Sequence, residues 1–213
     1  MDTNQGYMNR ALASLSGRWD KGVIATLIAL AVIYIGSSAL SLPFGTDIHS
    51  PAYWNGQCIS TIWTLLCLPL TWALAVYFLR LVKEEDLAYA HLFDGYRGFD
   101  EFLRICLTEL LKGLYTFLWS LLLVVPGIMK SYSYAMTDFI LKDEPELKNN
   151  AAIERSMQMM EGHKADLFWL DLSFIGWILL SILTFGIGFL LLIPYMETAH
   201  AQFYEDLKAQ ERA

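Results

Sequence analysis

The sequence predicts an all-α fold, a polytopic membrane helical bundle of about six transmembrane helices paired as three hairpins. Three observations carry that reading. The apolar residues come in long uninterrupted blocks. The chain of 213 residues is 55% hydrophobic and only 17% charged, where about a quarter is usual, and its mean hydropathy is +0.39. Its 15 lysines and arginines fall almost entirely between blocks, on every second connection. Disorder is excluded, because it requires low hydrophobicity and high net charge.

A span takes about 20 apolar residues. The first block, 23–42, is uncharged. Arg10, Arg18 and Lys21 precede it, but it exceeds the roughly 7–15-residue apolar core of a signal peptide, and no small-x-small site follows. The second, 58–79, is also uncharged and contains Pro69, which membrane helices tolerate. The connection 43–57 holds no lysine or arginine; its Tyr53 and Trp54 suit an interfacial aromatic belt. The third block, 105–125, ends at Pro126-Gly127, a strong turn signal. A more polar stretch, 128–141, follows as the fourth crossing. The fifth, 167–183, is interrupted by Thr184-Phe185-Gly186-Ile187-Gly188 before the sixth, 189–203. A single helix over the last two would exceed one modestly tilted span at 1.5 Å per residue, so a hairpin is predicted.

The basic residues set count and orientation. With six crossings, Arg10, Arg18, Lys21, Arg80, Lys83, Arg97, Arg104, Lys142, Lys148, Arg155, Lys164, Lys208 and Arg212 share one side. Lys130 alone falls near the other face, and Lys112 lies within a span. Both termini are therefore predicted cytoplasmic. The chain reads as one membrane domain, 1–213, with hairpins at about 23–79, 105–141 and 167–203. Cytoplasmic interfacial segments fill 8–18, 84–104 and 143–166.

A threefold pattern runs through those segments. Each amphipathic stretch ends in a glycine followed within two positions by a basic residue: Gly17-Arg18, Gly95-Tyr96-Arg97 and Gly162-His163-Lys164. Glycine ends the helix, and Arg18, Arg97 and Lys164 are candidate headgroup contacts. In the third segment Ile153, Met157 and Met160 share a helical face, which predicts a helix lying in the headgroup plane.

Ionisable groups inside spans are costly and mark functional candidates. Here they are Glu109 and Lys112 on the third crossing, Asp138 on the fourth, Asp171 on the fifth, and Glu197 and His200 on the sixth. Tyr134 shares a face with Asp138 at i, i+4. The topology puts all of them in the cytoplasmic third, so Glu109, Lys112, Tyr134, Asp138, Asp171, Glu197 and His200 form a candidate polar pocket. A competing reading has these charges paired and reaching the interface one by one.

Other chemistries find no foothold. The net charge of −7 argues against nucleic acid, whose phosphates demand a basic surface. No HExxH, GxSxG or GxxxxGK[ST] motif is present, so no catalytic residue is assigned. Asp47 and His49 are two ligands short of a metal site. Cys58, Cys67 and Cys106 have no metal-type spacing and read as packing residues.

The run LLLVVPGIMKSYSYAM over 121–136 resembles a bacterial integral-membrane family catalogued as a domain of unknown function. The likeness continues through Asp143-Glu-Pro-Glu146, Ala152-Ile-Glu-Arg-Ser156, Gly162-His-Lys164, Phe174-Ile-Gly-Trp177, Gly186-Ile-Gly188, Pro194-Tyr195 and Phe203-Tyr204. A looser likeness points to the membrane domain attached to some glycerophosphodiester phosphodiesterases, without their catalytic domain. The resemblance implies a membrane location and no known activity. The expected role is a non-enzymatic scaffold, accessory or lipid-binding protein, without cofactor or metal. Its partners would be membrane lipids, with a protein partner or homo-oligomer alongside. The alternative is a small transporter or channel using the polar pocket.

Overall fold

A computed structural model describes residues 2–212, and they are helical throughout, with no strand among them. The order is α1 (Asn4–Leu15), α2 (Trp19–Leu30), a π-helical turn and α3 (Gly36–Ser41), α4 (Pro51–Leu66), α5 (Leu68–Val82), a 3-10 stretch Tyr89–Tyr96, and α6 (Phe99–Leu122). Then come α7 (Val124–Ser133), α8 (Thr137–Asp143), α9 (Asn150–Met159), α10 (Lys164–Ser173), α11 (Ile175–Leu183) and α12 (Phe189–Glu211). Four continuous helical runs are long and apolar enough to cross a membrane: Trp19–Phe44, Pro51–Val82, Phe99–Leu122 and Lys164–Leu183. The return limbs α7–α8 and α12 have the length but not the apolarity, since Lys130, Asp138 and Lys142 lie on one and Glu197, Glu205 and Asp206 on the other.

Local sequence explains several helix ends. Thr3 Oγ1 accepts from Gly6 N–H, and Ser50 Oγ accepts from Tyr53 N–H with Pro51 in the first turn, the usual way to satisfy orphan donors. Gly17 at φ 73° and Gly162 at φ 84° provide the left-handed turns that separate α1 from α2 and α9 from α10. Gly95 works differently. Its φ is not left-handed; a Cβ there would lie 2.7 Å from Pro69 Cβ, so it permits close packing, and α6 starts only after Gly98.

Two prolines mark breaks between helices. Pro69 lies inside the apolar run Pro51–Val82, at a local break in its helix. The helix stops at Leu66 and restarts at Leu68, with Pro69 in the new first turn, where its missing N–H costs nothing. The halves then diverge: in α4 only Gly56 is buried, whereas α5 buries Leu70, Trp72, Tyr77, Phe78 and Leu81. The second hairpin turns at Leu123 (φ −160°, ψ 140°), and Pro126 lies in the first turn of α7. Gly127 serves the packing of that hairpin, because a Cβ would come 2.7 Å from Ser120 Cα. Gly188 stands in the same relation to Ser181, at 2.7 Å. Both hairpins thus use a serine and, seven residues on, a glycine to bring two limbs together, the small-residue packing typical of membrane helices.

The core sits at one end of the hairpins. Tyr7, Ala11 and Leu15 of α1 pack on Ala199, Phe203 and Tyr204 of α12, with Phe78 and Leu81 of α5 beside them. The other end exposes its large apolar side chains: Tyr34, Ile35 and Leu42 on the first hairpin, Leu121, Leu122, Val124 and Val125 on the second, Leu183, Phe185 and Ile187 on the third.

Of the segments read as interfacial, α1 and α9 bury most of their apolar faces in protein, whereas 84–104 leaves Phe93, Tyr96, Phe99 and Leu103 exposed. On α9 the buried face is Ala152, Ile153, Ser156 and Met159, with Met157 at its margin. Ser156 Oγ donates to the Ser133 carbonyl at 2.9 Å and accepts from Met136 N–H at 3.2 Å. It satisfies backbone groups released where α7 breaks before α8, which hydropathy patterning does not register.

Candidate functional site

Helix α6 projects Glu109 and Lys112 one turn apart, and α8 brings Asp138 to them. Lys112 Nζ donates to Glu109 Oε1 at 2.8 Å and to Asp138 Oδ1 at 2.6 Å. Trp72 Nε1 on α5 donates to the Asp138 carbonyl at 2.9 Å, which fixes the backbone that presents the carboxylate. A second group forms between α10 and α12. His200 Nε2 lies 2.6 Å from Asp171 Oδ1, and Tyr132 Oη donates to Asp171 Oδ2 at 3.0 Å. Glu197, one turn before His200, is within electrostatic reach of His200, Asp138, Lys112 and Asp171. Among the described residues it accepts no hydrogen bond.

Five of the seven predicted pocket residues therefore lie in two paired groups, with Glu197 as a sixth between them. Tyr134 does not join them. Its ring is buried beside Tyr115, centroids 6.4 Å apart. The helix is interrupted at 134–136, so the i, i+4 projection from Asp138 fails, and Tyr132 supplies the hydroxyl instead. Glu109 and Asp138 share Lys112, and Asp171 meets His200; pairing with a base is how buried charges are tolerated. Asp47 Oδ1 accepts from His49 N–H at 3.0 Å and shapes the first tip. No group of three histidine, cysteine or acidic side chains suited to a metal occurs among the described residues.

A third polar network, missed in the sequence, lies past the inner ends of the hairpins. Asp143 accepts from Lys83 at 2.7 Å, from Tyr204 at 3.1 Å, and from Lys208. Burial alone would raise its carboxyl; the Lys208 and Lys83 ammonium groups outweigh this and hold it below the usual carboxylate range. Asp206 is likewise held low against burial by Arg10 and Tyr7. The signal was available only as a count, since these partners are about 60 or more residues apart.

The candidate headgroup residues are placed variously. Arg18 Nη1 reaches the Leu81 carbonyl at 3.4 Å. Arg97 pairs with Asp94 at 2.9 Å while staying 67% exposed. Lys164 lines a cavity together with Lys130. The packing of α7 against α10 brings the two lysines to one cavity.

Fold and charge placement define a class: an all-helical protein with four helical runs long and apolar enough to cross a membrane, and with many of its ionisable groups in ion pairs. The family described as "Protein of unknown function (DUF975)" matches residues 121–211, which take in the motifs from 121 to 204 that carry the resemblance. No curated protein and no solved structure matches the chain.

Proposed function

We propose that this chain is a multi-pass protein of the bacterial inner membrane that acts without catalysis, as a scaffold, accessory or lipid-binding protein. Its three hairpins enter from the cytoplasmic side, so both termini and α9 stay inside, and all 213 residues form one domain. Three tips that emerge give six crossings; a tip that stops short gives fewer without moving any basic residue across. One observation carries the reading. Along the same limbs, large apolar side chains are exposed at the tips, with Phe185 98% exposed, whereas the roots hold the ion pairs. Water would penalise such tips at about 25 cal/mol per Å² of apolar surface, and lipid does not.

Cysteine labelling tests it. In a chain lacking Cys58, Cys67 and Cys106, Thr46→Cys and Phe185→Cys should react with an impermeant reagent added outside. Asn149→Cys should react only once the membrane is opened, and its labelling in intact cells would sink the orientation. The transporter reading is favoured by one feature, the unpartnered Glu197 between two ion-paired groups. Comparing lipids and metabolites of deletion and parent cells separates the two.

A further inference from the structure

We propose that Lys130 and Lys164 hold the headgroup of one anionic phospholipid of the inner leaflet, whose acyl chain lies in the groove between α7 and α10. The inference rests on the membrane reading above and adds a ligand class and a site. The groove has a volume of about 410 Å³, is walled by Val125, Ile128, Met129 and Phe168, and has Lys164 on its rim. An adjoining cavity shares Met129 and Lys164 and adds Lys130 and Trp119.

Arg10, Arg80, Lys83, Arg97, Arg104, Lys112, Arg155 and Lys208 each sit within 4 Å of a carboxylate. Lys130 and Lys164 are, among the described residues, two of the seven lysines and arginines without one, with Arg18, Lys21, Lys142, Lys148 and Arg212, and of these seven they are the two that line this groove and its adjoining cavity. Lys130 Nζ instead rests over the Trp119 ring, 5.1 Å from its centroid. The nearby Asp166 is engaged by His163 at 3.3 Å, and Glu154 and Glu161 border a separate cleft with Lys164 without pairing. Two free cations beside an apolar groove match a phosphate attached to an acyl chain, the arrangement by which basic pockets between membrane helices take anionic headgroups. A free phosphate would satisfy the lysines and leave the groove walls bare.

Depth agrees. Lys130 lies seven residues beyond the Leu123 turn, about 10 Å along a helix. A headgroup held there leaves the second tip well inside a core roughly 30 Å thick.

The test uses the full chain in phosphatidylcholine nanodiscs with or without phosphatidylglycerol. Native mass spectrometry should show phosphatidylglycerol retained by the parent. Retention should fall about tenfold or more in Lys130→Gln/Lys164→Gln and be unchanged in Lys148→Gln. Circular dichroism establishes that the double variant is folded, and single Gln variants stand in if it is not. Equal retention by parent and variant overturns the site, as does displacement by inorganic phosphate at equal concentration. Leu123→Cys should stay unlabelled from outside where Thr46→Cys labels, and labelling at Leu123 overturns the depth. A chain that washes off membranes in carbonate would instead refute the membrane reading itself.

Discussion

His200 Nε2 stands 2.6 Å from Asp171 Oδ1 and ties the two limbs of the third hairpin together below its tip. Asp171→Asn and His200→Gln should each destabilise the protein by roughly 1.5–3 kcal/mol, the worth of a hydrogen bond to a charged group. The double variant should lose clearly less than the sum, because the partners act as a unit. Additive losses in thermal unfolding in detergent would show that the pair is not coupled.

Lys112 neutralises two carboxylates at once. Lys112→Met should cost about 3–5 kcal/mol, since it leaves Glu109 and Asp138 facing each other without a base. Adding Glu109→Gln and Asp138→Asn should restore most of that loss. A triple variant no more stable than Lys112→Met would mean that Lys112 matters through packing and not through charge.

The Asp143 network predicts a pH dependence of definite sign. Its carboxyl is depressed in the folded state, against about 3.9 when unfolded. The stabilisation is therefore full above the unfolded value and is lost as pH falls through the lower folded one. Unfolding temperature should drop below about pH 4 in the parent, and part of that drop should vanish in Asp143→Asn. That variant should also lose roughly 1.5–3 kcal/mol near neutral pH. Identical acid profiles for the two chains would contradict the assignment.

Gly127→Val and Gly188→Val should push apart limbs that leave no space for a side chain. Overpacking of this kind costs about 1–3 kcal/mol. A distance measured between labels on the paired limbs should widen in the variant hairpin and stay constant in the other. Gly176→Val, where nothing lies within 4 Å, is the control.

Much of the layout is legible in the sequence because hydropathy and charge act locally. The interruption at Thr184 to Gly188 is a turn between α11 and α12 as read, and Gly17 and Gly162 do separate their helices. Glu109 and Lys112 pair because i, i+3 neighbours on a helix must meet. Tyr132, Ser156 and Asp143 were not legible. Each meets partners on other helices, through a break at 134–136 or over long separations in sequence.

The amino-acid sequence by itself determined a helical membrane-type chain, the resemblance carried by the motifs from 121 to 204 and the ionisable residues most in need of partners, because transfer energies depend on composition and local spacing. Only the tertiary structure decided which base meets which acid, that α5 is buried where α4 is exposed, and that Lys130 and Lys164 line one cavity. Those outcomes depend on how helices pack across the chain, where one broken turn or one glycine without a Cβ changes which faces meet.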